Sequence, residues 1–242
     1  MNRGRQIIIL SLLIALLMTS YACKANFGWE PIEVAEVAIY SEKGAVLSQD
    51  VAYALELLDI KYNTLDENDI KEGKLEQFDF LIISGGYTQE YMPALGEVGR
   101  EAIRNFVQEG GAYIGICGGA YIASERVEVP GRPQGLGIID IENIRKSGRG
   151  MRKIYLNEHH ITQGLGRELE IYYQNGPEMV AKENVEGIAK YKSGKFAIVA
   201  SSFGKGRVIC FSPHPERSIS QGIKPNGEGL KLLKNALEVC QT

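Results

Sequence analysis

The stretch of sequence that decides the fold is residues 112–124, AYIGICGGAYIAS. Residues 112–117 are a nearly continuous apolar run, which is typical of a strand buried on both faces of a sheet. Two glycines follow Cys117, and the rest of the stretch predicts a helix over residues 118–124. A strand, a tight glycine turn and a helix in this order indicate one unit of a parallel, doubly wound sheet.

The same alternation continues on both sides of this stretch. Apolar periodicity predicts strands before it and helices between them, at strands 34–40, 61–65 and 78–84 and helices 46–58 and 99–109. The chain after it is richer in strands, predicted at 136–144, 153–156, 170–174, 188–191, 196–201 and 207–212, before a closing helix at 227–239. We therefore predict an α/β fold with a mostly parallel sheet and a β-rich C-terminal half. No repeat or low-complexity linker interrupts residues 34–242, which predicts one domain there, after a short linker at 23–33.

The first 22 residues have the pattern of an export signal. Arg3 and Arg5 precede an apolar run over residues 7–18, which is shorter than the roughly 20 residues of a membrane-spanning helix. Cys23 follows Ala22 and resembles the lipid-modified cysteine of bacterial lipoproteins, although the preceding residues are not the usual ones. Lipidation, simple cleavage and an uncleaved anchor stay open as alternatives. We expect an exported, extracytoplasmic protein that meets a membrane only through this segment or a lipid on Cys23.

Composition excludes several classes of partner. The chain has 242 residues, 44% hydrophobic and 24% charged, with a net charge of −3. Without a cluster of basic and aromatic residues, nucleic acid is not expected as a partner, and the basic run from Arg145 to Lys153 is interpreted as a solvated loop. The pair His159 and His160 lacks further ligands at metal-binding spacing. We predict no metal and no cofactor, and an unidentified small molecule as substrate or ligand.

Cys117 is predicted to be a nucleophile on a strand-to-helix elbow. Residues 115–119, GICGG, place glycines on both sides of the cysteine, where larger side chains would clash in a tight turn. Such a turn pushes the thiol out at the carboxyl end of the strand, and the N-terminus of the next helix favours the thiolate there. The alternative is a packing turn in which Cys117 is only a small buried residue.

Two other segments supply what such a nucleophile needs. Gly85 and Gly86 end another buried strand, so the N–H groups of Gly86 and Gly118 can form an oxyanion hole. His214 and Glu216 follow a late strand and are predicted to be the base and the carboxylate that orients it. Residues near these motifs, Gly85, Tyr87, Tyr121 and Asn175, are candidates for the substrate pocket.

Together these motifs resemble the class I glutamine amidotransferase-like superfamily. The helix and elbow at residues 100–124 and the segment 172–177, YYQNGP, are similar to its biotin-protein ligase N-terminal-like branch. The resemblance covers roughly residues 35–240 and implies a flavodoxin-like fold with Cys117 as nucleophile, His214 as base and Glu216 as its orienting partner.

The sequence also departs from the family pattern. Glutamine-hydrolysing members usually carry Gln four residues after the nucleophile, where this chain has Tyr121, and a larger residue where it has Gly118. We therefore interpret the chain as a thiol hydrolase acting on an amide or related carbonyl, without assigning glutamine as its substrate. The alternative is a binding module that keeps the fold without turnover. A third interpretation, the protease and chaperone branch, would use Glu42 beside the cysteine.

Overall fold

A computed structural model of the protein describes residues 36–126, 134–217 and 227–240. The predicted export signal, the linker and Cys23 lie outside the described residues. Five α-helices are found in the described part of the chain: α1 (Ser48–Leu57), α2 (Glu67–Lys71), α3 (Thr88–Gln108), α4 (Gly118–Ala123) and α5 (Gly227–Val239). None of them is long and apolar enough to cross a lipid bilayer.

Eleven strands in the described residues form one mixed sheet. They are β1 (Val37–Tyr40), β2 (Tyr62–Leu65), β3 (Phe80–Ile83), β4 (Ala112–Ile116), β5 (Ile141–Arg145), β6 (Arg149–Leu156), β7 (Glu168–Gln174), β8 (Pro177–Ala181), β9 (Glu186–Lys190), β10 (Phe196–Phe203) and β11 (Gly206–Phe211). The predicted α/β class with a strand-rich C-terminal half is confirmed.

The parallel part of the sheet has the order β2-β1-β3-β4-β11. Ile82 of β3 faces Ile114 of β4, which faces Ile209 of β11. Every residue of β1, β3 and β4 is buried, as expected for strands covered on both faces. Strand β11, the last strand of the described residues, pairs with β4 and β10 and so lies in the middle of the sheet.

The remaining strands pair antiparallel. Beyond β11 the order continues β10-β9-β6-β7, and β8 joins β10 to β5. The predicted turns at Gly194 and Gly204 connect β9 to β10 and β10 to β11, and both glycines have positive φ, 82° and 60°. The four N-terminal strands and β11 thus pair in parallel, whereas β10 pairs antiparallel with β9 and β11, its neighbours along the chain.

Some elements differ from their predicted bounds. Helix α3 begins at Thr88, earlier than predicted, and it is interrupted at Gly96, where φ is 61° and ψ −163°. Strand β5 begins at Ile141 because the residues before it include Gly137 with φ 64°. Strand β8, which begins at Pro177, was not predicted.

The parallel strands place their carboxyl ends at one edge of the sheet. Besides the connection after β2, four connections meet there: the loop after β1, the Gly85-Gly86 turn after β3, Cys117 after β4, and the segment from Ser212 to Glu216 after β11. This is the edge where open α/β sheets bind ligands. The fold therefore brings the three separated sequence motifs to the same place.

Candidate functional site

Cys117 lies on a strained turn between β4 and α4. Its φ is 51° and its ψ −97°, a conformation that residues with a Cβ rarely adopt. Its N–H donates to the carbonyl of Phe211 at 2.7 Å, which fixes the turn against β11. Cys117 is 8% exposed, so most of the residue is buried in the turn.

The predicted oxyanion-hole glycines lie side by side next to this turn. A Cβ added to Gly118 would stand 2.8 Å from the backbone nitrogen of Gly86, so only glycine fits this approach. Among the hydrogen bonds of the described residues, neither the Gly86 N–H nor the Gly118 N–H donates to a protein acceptor. Two adjacent N–H groups therefore remain available for a substrate oxygen.

His214 and Glu216 form a fully buried pair. His214 Nδ1 lies 2.8 Å from Glu216 Oε1, and both residues have no exposed surface. The carboxylate accepts a hydrogen bond from the Nδ1–H group, which leaves Nε2 on the side of the Gln174 carbonyl and Cys117. A backbone hydrogen bond of 2.7 Å from the His214 N–H to the Tyr172 carbonyl holds the segment in place.

Opposing effects act on the His214 imidazole. Burial disfavours the imidazolium and lowers the pKa, whereas the negative charge of Glu216 and the charge and hydrogen bond of Cys117 raise it. The net result is a pKa well above the ordinary value of 6.5. The negative charges of Glu216 and of the Cys117 sulfur thus stabilise the imidazolium that forms when His214 receives the thiol proton.

The backbone carbonyl of Gln174 joins the nucleophile and the base. Cys117 Sγ lies 3.3 Å and His214 Nε2 3.4 Å from this oxygen. The Gln174 side chain is held in turn, because its Oε1 accepts from Arg217 Nη1 at 2.9 Å and from the Tyr172 hydroxyl at 3.1 Å. Although Gln174 lies in the YYQNGP segment, this role cannot be predicted from its side chain, because it depends on a main-chain oxygen at the end of β7.

The thiol opens into a cavity of about 520 Å³. The predicted residues that line it are Gly85, Gly86, Tyr87, Cys117, Gly118, Tyr121, Asn175 and His214. Glu216 is not on its surface but lies behind His214. The residues that sequence reasoning missed are Val46, Leu47, Thr88, Arg145, Ser147, Gln174 and Arg217.

Two interpretations of charged residues change with this geometry. Arg145 and Ser147 are exposed, yet they also border the cavity, so this part of the basic run is more than a solvated loop. Glu42 is exposed and is not among the residues that line the cavity. The geometry therefore favours Glu216 over Glu42 as the carboxylate of the site.

Tyr121 and Asn175 tie two loops together at the cavity wall. The Tyr121 hydroxyl donates to the Asn175 carbonyl at 3.4 Å. Asn175 has a positive φ of 56°, and its Oδ1 accepts from the Gly148 N–H at 2.9 Å. Burial raises the pKa of Tyr121, so its hydroxyl stays protonated and can donate.

The histidine pair lies elsewhere. His159 Nδ1 accepts from the Ile161 N–H at 3.0 Å, and its Nε2 lies 3.2 Å from Glu186. These contacts give His159 a structural role in the loop after β6. Within the described ranges, no group of three His, Cys, Asp or Glu side chains is arranged to hold a metal ion.

Comparison with known proteins identifies the family. The family model described as "Biotin-protein ligase, N terminal" matches residues 35–140. The pyridoxal 5'-phosphate synthase subunit PdxT of Koribacter versatilis is 30% identical over 148 residues, which cover 60% of this chain and 72% of that protein. The phosphoribosylformylglycinamidine synthase subunit PurQ of Methanosphaera stadtmanae is 25% identical over 223 residues, covering 84% of this chain and 96% of that protein.

A solved structure shares the fold. PurLQS from Thermotoga maritima superposes with a TM-score of 0.66 at 19% identity, over 85% of this chain and 98% of that one. The sequence relatives and the solved structure therefore agree on the family and the fold. The chain belongs to the class I glutamine amidotransferase-like superfamily.

Proposed function

We propose that this protein is a cysteine-dependent hydrolase of an amide or related carbonyl compound. The observation that carries the proposal is the grouping of Cys117, His214 and Glu216 around the Gln174 carbonyl, at the wall of an open cavity. The amidotransferase-like fold supports chemistry of this general kind. As the partner of the chain, we propose a small molecule that binds in this cavity.

The proposed reaction has two steps. His214 Nε2 takes the Cys117 proton while the sulfur attacks the carbonyl carbon, and the Gly86 and Gly118 N–H groups bind the resulting oxyanion. The C–N bond then breaks, His214 returns the proton to the leaving nitrogen, and an acyl thioester remains. Water, deprotonated by His214, hydrolyses the thioester to a carboxylic acid and restores the thiol. Glu216 keeps the imidazole oriented through both steps.

The test measures release of ammonia or amine from a panel of primary and secondary amides. We expect turnover by the wild type, loss of at least about 100-fold in Cys117→Ala, and retention in Cys210→Ala. Cys210 is the matched control because it is a buried cysteine in β11, away from the cavity.

A binding module without turnover would give a different result. It would show no amide hydrolysis by the wild type across the panel, whereas a ligand would still protect Cys117 from iodoacetamide. Turnover that survives in Cys117→Ala would instead show that the chemistry lies elsewhere.

We also propose that the protein is exported, with Cys23 as the lipid-bearing residue. Arg3, Arg5 and the apolar run before Cys23 support this proposal. Mass spectrometry of the mature N-terminus should find a chain that begins at Cys23 with an attached lipid, and Cys23→Ala should move the protein out of the membrane fraction. An intact N-terminus at Met1 in a cytoplasmic fraction would contradict the proposal.

A further inference from the structure

The cavity is larger than an amide group alone requires. Its volume of about 520 Å³ falls in the range of pockets that hold drug-sized ligands, roughly 300–1,000 Å³. The thiol, the glycine N–H groups and His214 account for one part of its surface. The other residues that line it must contact the rest of the ligand.

One wall of the cavity is apolar. It is formed by Val46 and Leu47, in the connection between β1 and α1, and by Tyr87, directly after the glycine turn. We call these three residues the apolar wall. The two segments lie side by side, because the Leu47 N–H donates to the Gly85 carbonyl at 3.0 Å and the Tyr87 N–H to the Gly44 carbonyl at 2.9 Å. Val46 is 55% exposed and Tyr87 is 53% exposed, so both present apolar surface that a ligand in the cavity can cover.

The apolar wall begins beside the reacting groups. A Cβ added to Gly85 would stand 2.8 Å from Leu47 Cδ1 on one side and 2.8 Å from His214 Cε1 on the other. Leu47 and the imidazole therefore border the same space, the one that a side chain at residue 85 would fill. A group attached to the reacting carbonyl or nitrogen can reach this wall without leaving the cavity.

The remaining wall is polar. Arg145, Ser147 and Asn175 line it, and the bonds from Tyr121 to Asn175 and from Asn175 to Gly148 connect its loops. A polar substituent would be solvated on this side, so the apolar wall offers stabilisation only to an apolar one. The two walls therefore favour different substituents of a bound molecule, an apolar substituent at the apolar wall and a polar substituent at the polar wall.

We propose that the substrate carries an alkyl or aryl group next to the amide that Cys117 attacks, and that this group packs on the apolar wall. The inference rests on the proposed function for the reaction, but the binding preference does not require turnover. Covering about 55 Å² of apolar surface improves binding about tenfold. We therefore expect a preference of about that size for an apolar ligand.

The test compares alkylation of Cys117 by iodoacetamide and by N-benzyl iodoacetamide. In both reactions the thiolate displaces iodide and forms a thioether, so only the substituent differs. Mass spectrometry locates the label, and each rate is divided by that of glutathione to remove intrinsic reactivity. We expect the benzyl reagent to be favoured about tenfold at Cys117, with saturation at high concentration.

Matched serine variants assign the preference to the wall. Val46→Ser and Tyr87→Ser should each reduce it at least about threefold. Val98→Ser and Tyr53→Ser should leave it unchanged, because Val98 and Tyr53 are similarly exposed, 63% and 46%, and do not line the cavity.

The outcomes separate this inference from the proposed function. Equal normalised rates for the two reagents, or a preference that survives in both wall variants, would overturn the inference even if amides are hydrolysed. A preference that disappears in the wall variants supports it even if no amide is turned over.

Discussion

Cys117 has a backbone conformation that is costly for any residue with a Cβ. At φ 51° and ψ −97°, this cost is about 1–3 kcal/mol. Glycine avoids it, although glycine also loses about 0.5–1 kcal/mol to the greater freedom of the unfolded chain. We predict that Cys117→Gly is as stable as Cys117→Ala, or up to about 2 kcal/mol more stable, in urea unfolding.

Cys210 provides the control for this comparison. It lies in the regular strand β11 without positive φ, so Cys210→Gly should be less stable than Cys210→Ala by about 1 kcal/mol. If the glycine variant is less stable than the alanine variant by the same amount at both positions, the Cys117 turn is not strained.

The pKa of His214 should depend on Glu216. In Glu216→Gln the carboxylate is gone, whereas burial still disfavours the imidazolium, so we predict that the pKa of His214 falls. NMR titration of the imidazole measures this change. Glu186→Gln is the control, since it removes a carboxylate beside His159 and leaves His214 untouched. If the pKa of His214 falls equally in Glu186→Gln, Glu216 is not the carboxylate that raises it.

The same shift has a consequence for stability. Because the folded state raises the pKa of His214, its protonation contributes stability that is fully present below pH about 6.5. This contribution is lost as pH rises through the folded-state pKa. When the pH is raised from 6.5 through this pKa, the free energy of unfolding should therefore fall more in the wild type than in Glu216→Gln.

The sequence indicates the residues of the proposed reaction more clearly than their surroundings. Cys117, His214 and Glu216 lie in short motifs whose glycines and prolines mark the turns that expose them. The Gln174 carbonyl and the side chains of Arg145 and Arg217 reach the cavity through tertiary contacts between separate strands. No local pattern of residues encodes such contacts.

At the scale of elements, helix α3 is interrupted by Gly96. Its φ of 61° and ψ of −163° lie in a region that is essentially restricted to glycine. A Cβ at this position would meet no atom within 4 Å, so the cost of Gly96→Ala is conformational and not steric. We predict a loss of about 1–3 kcal/mol in the free energy of unfolding.

Gly227 is the matched control for Gly96. A Cβ there also meets open space, but its φ is not positive. Gly227→Ala should therefore be neutral or stabilising, because alanine favours the helix that begins at this residue. Equal effects at the two glycines would mean that α3 can continue through residue 96.

Element boundaries were predicted less well than element types. The central strands are long apolar runs, so β3 and β4 were found near their observed bounds. The first part of α3 was missed because Pro93 and Gly96 disrupt its helical pattern. Strand β8 was missed because it begins with a proline and includes the charged Glu178, although Glu178 is buried.

At the scale of the whole molecule, the N-terminal part of the sheet depends on the C-terminal part. The family match covers residues 35–140, which include β1 to β4 but not β11. In the structure β11 pairs with β4 on one side and β10 on the other. This order could not be predicted from the sequence, since a late strand that inserts into the centre has the same apolar pattern as one at the edge.

We predict that a truncated protein containing only residues 35–140 does not fold. It would leave the apolar strand β4 as an unpaired edge and would remove His214 and Glu216 from the site. Circular dichroism and limited proteolysis should show an unfolded or aggregated chain. A protein of residues 34–242 is the control, and it should unfold in one cooperative transition. Cooperative unfolding of the short fragment would show that the parallel strands form a core without β11 and that residues 34–242 contain more than one folding unit.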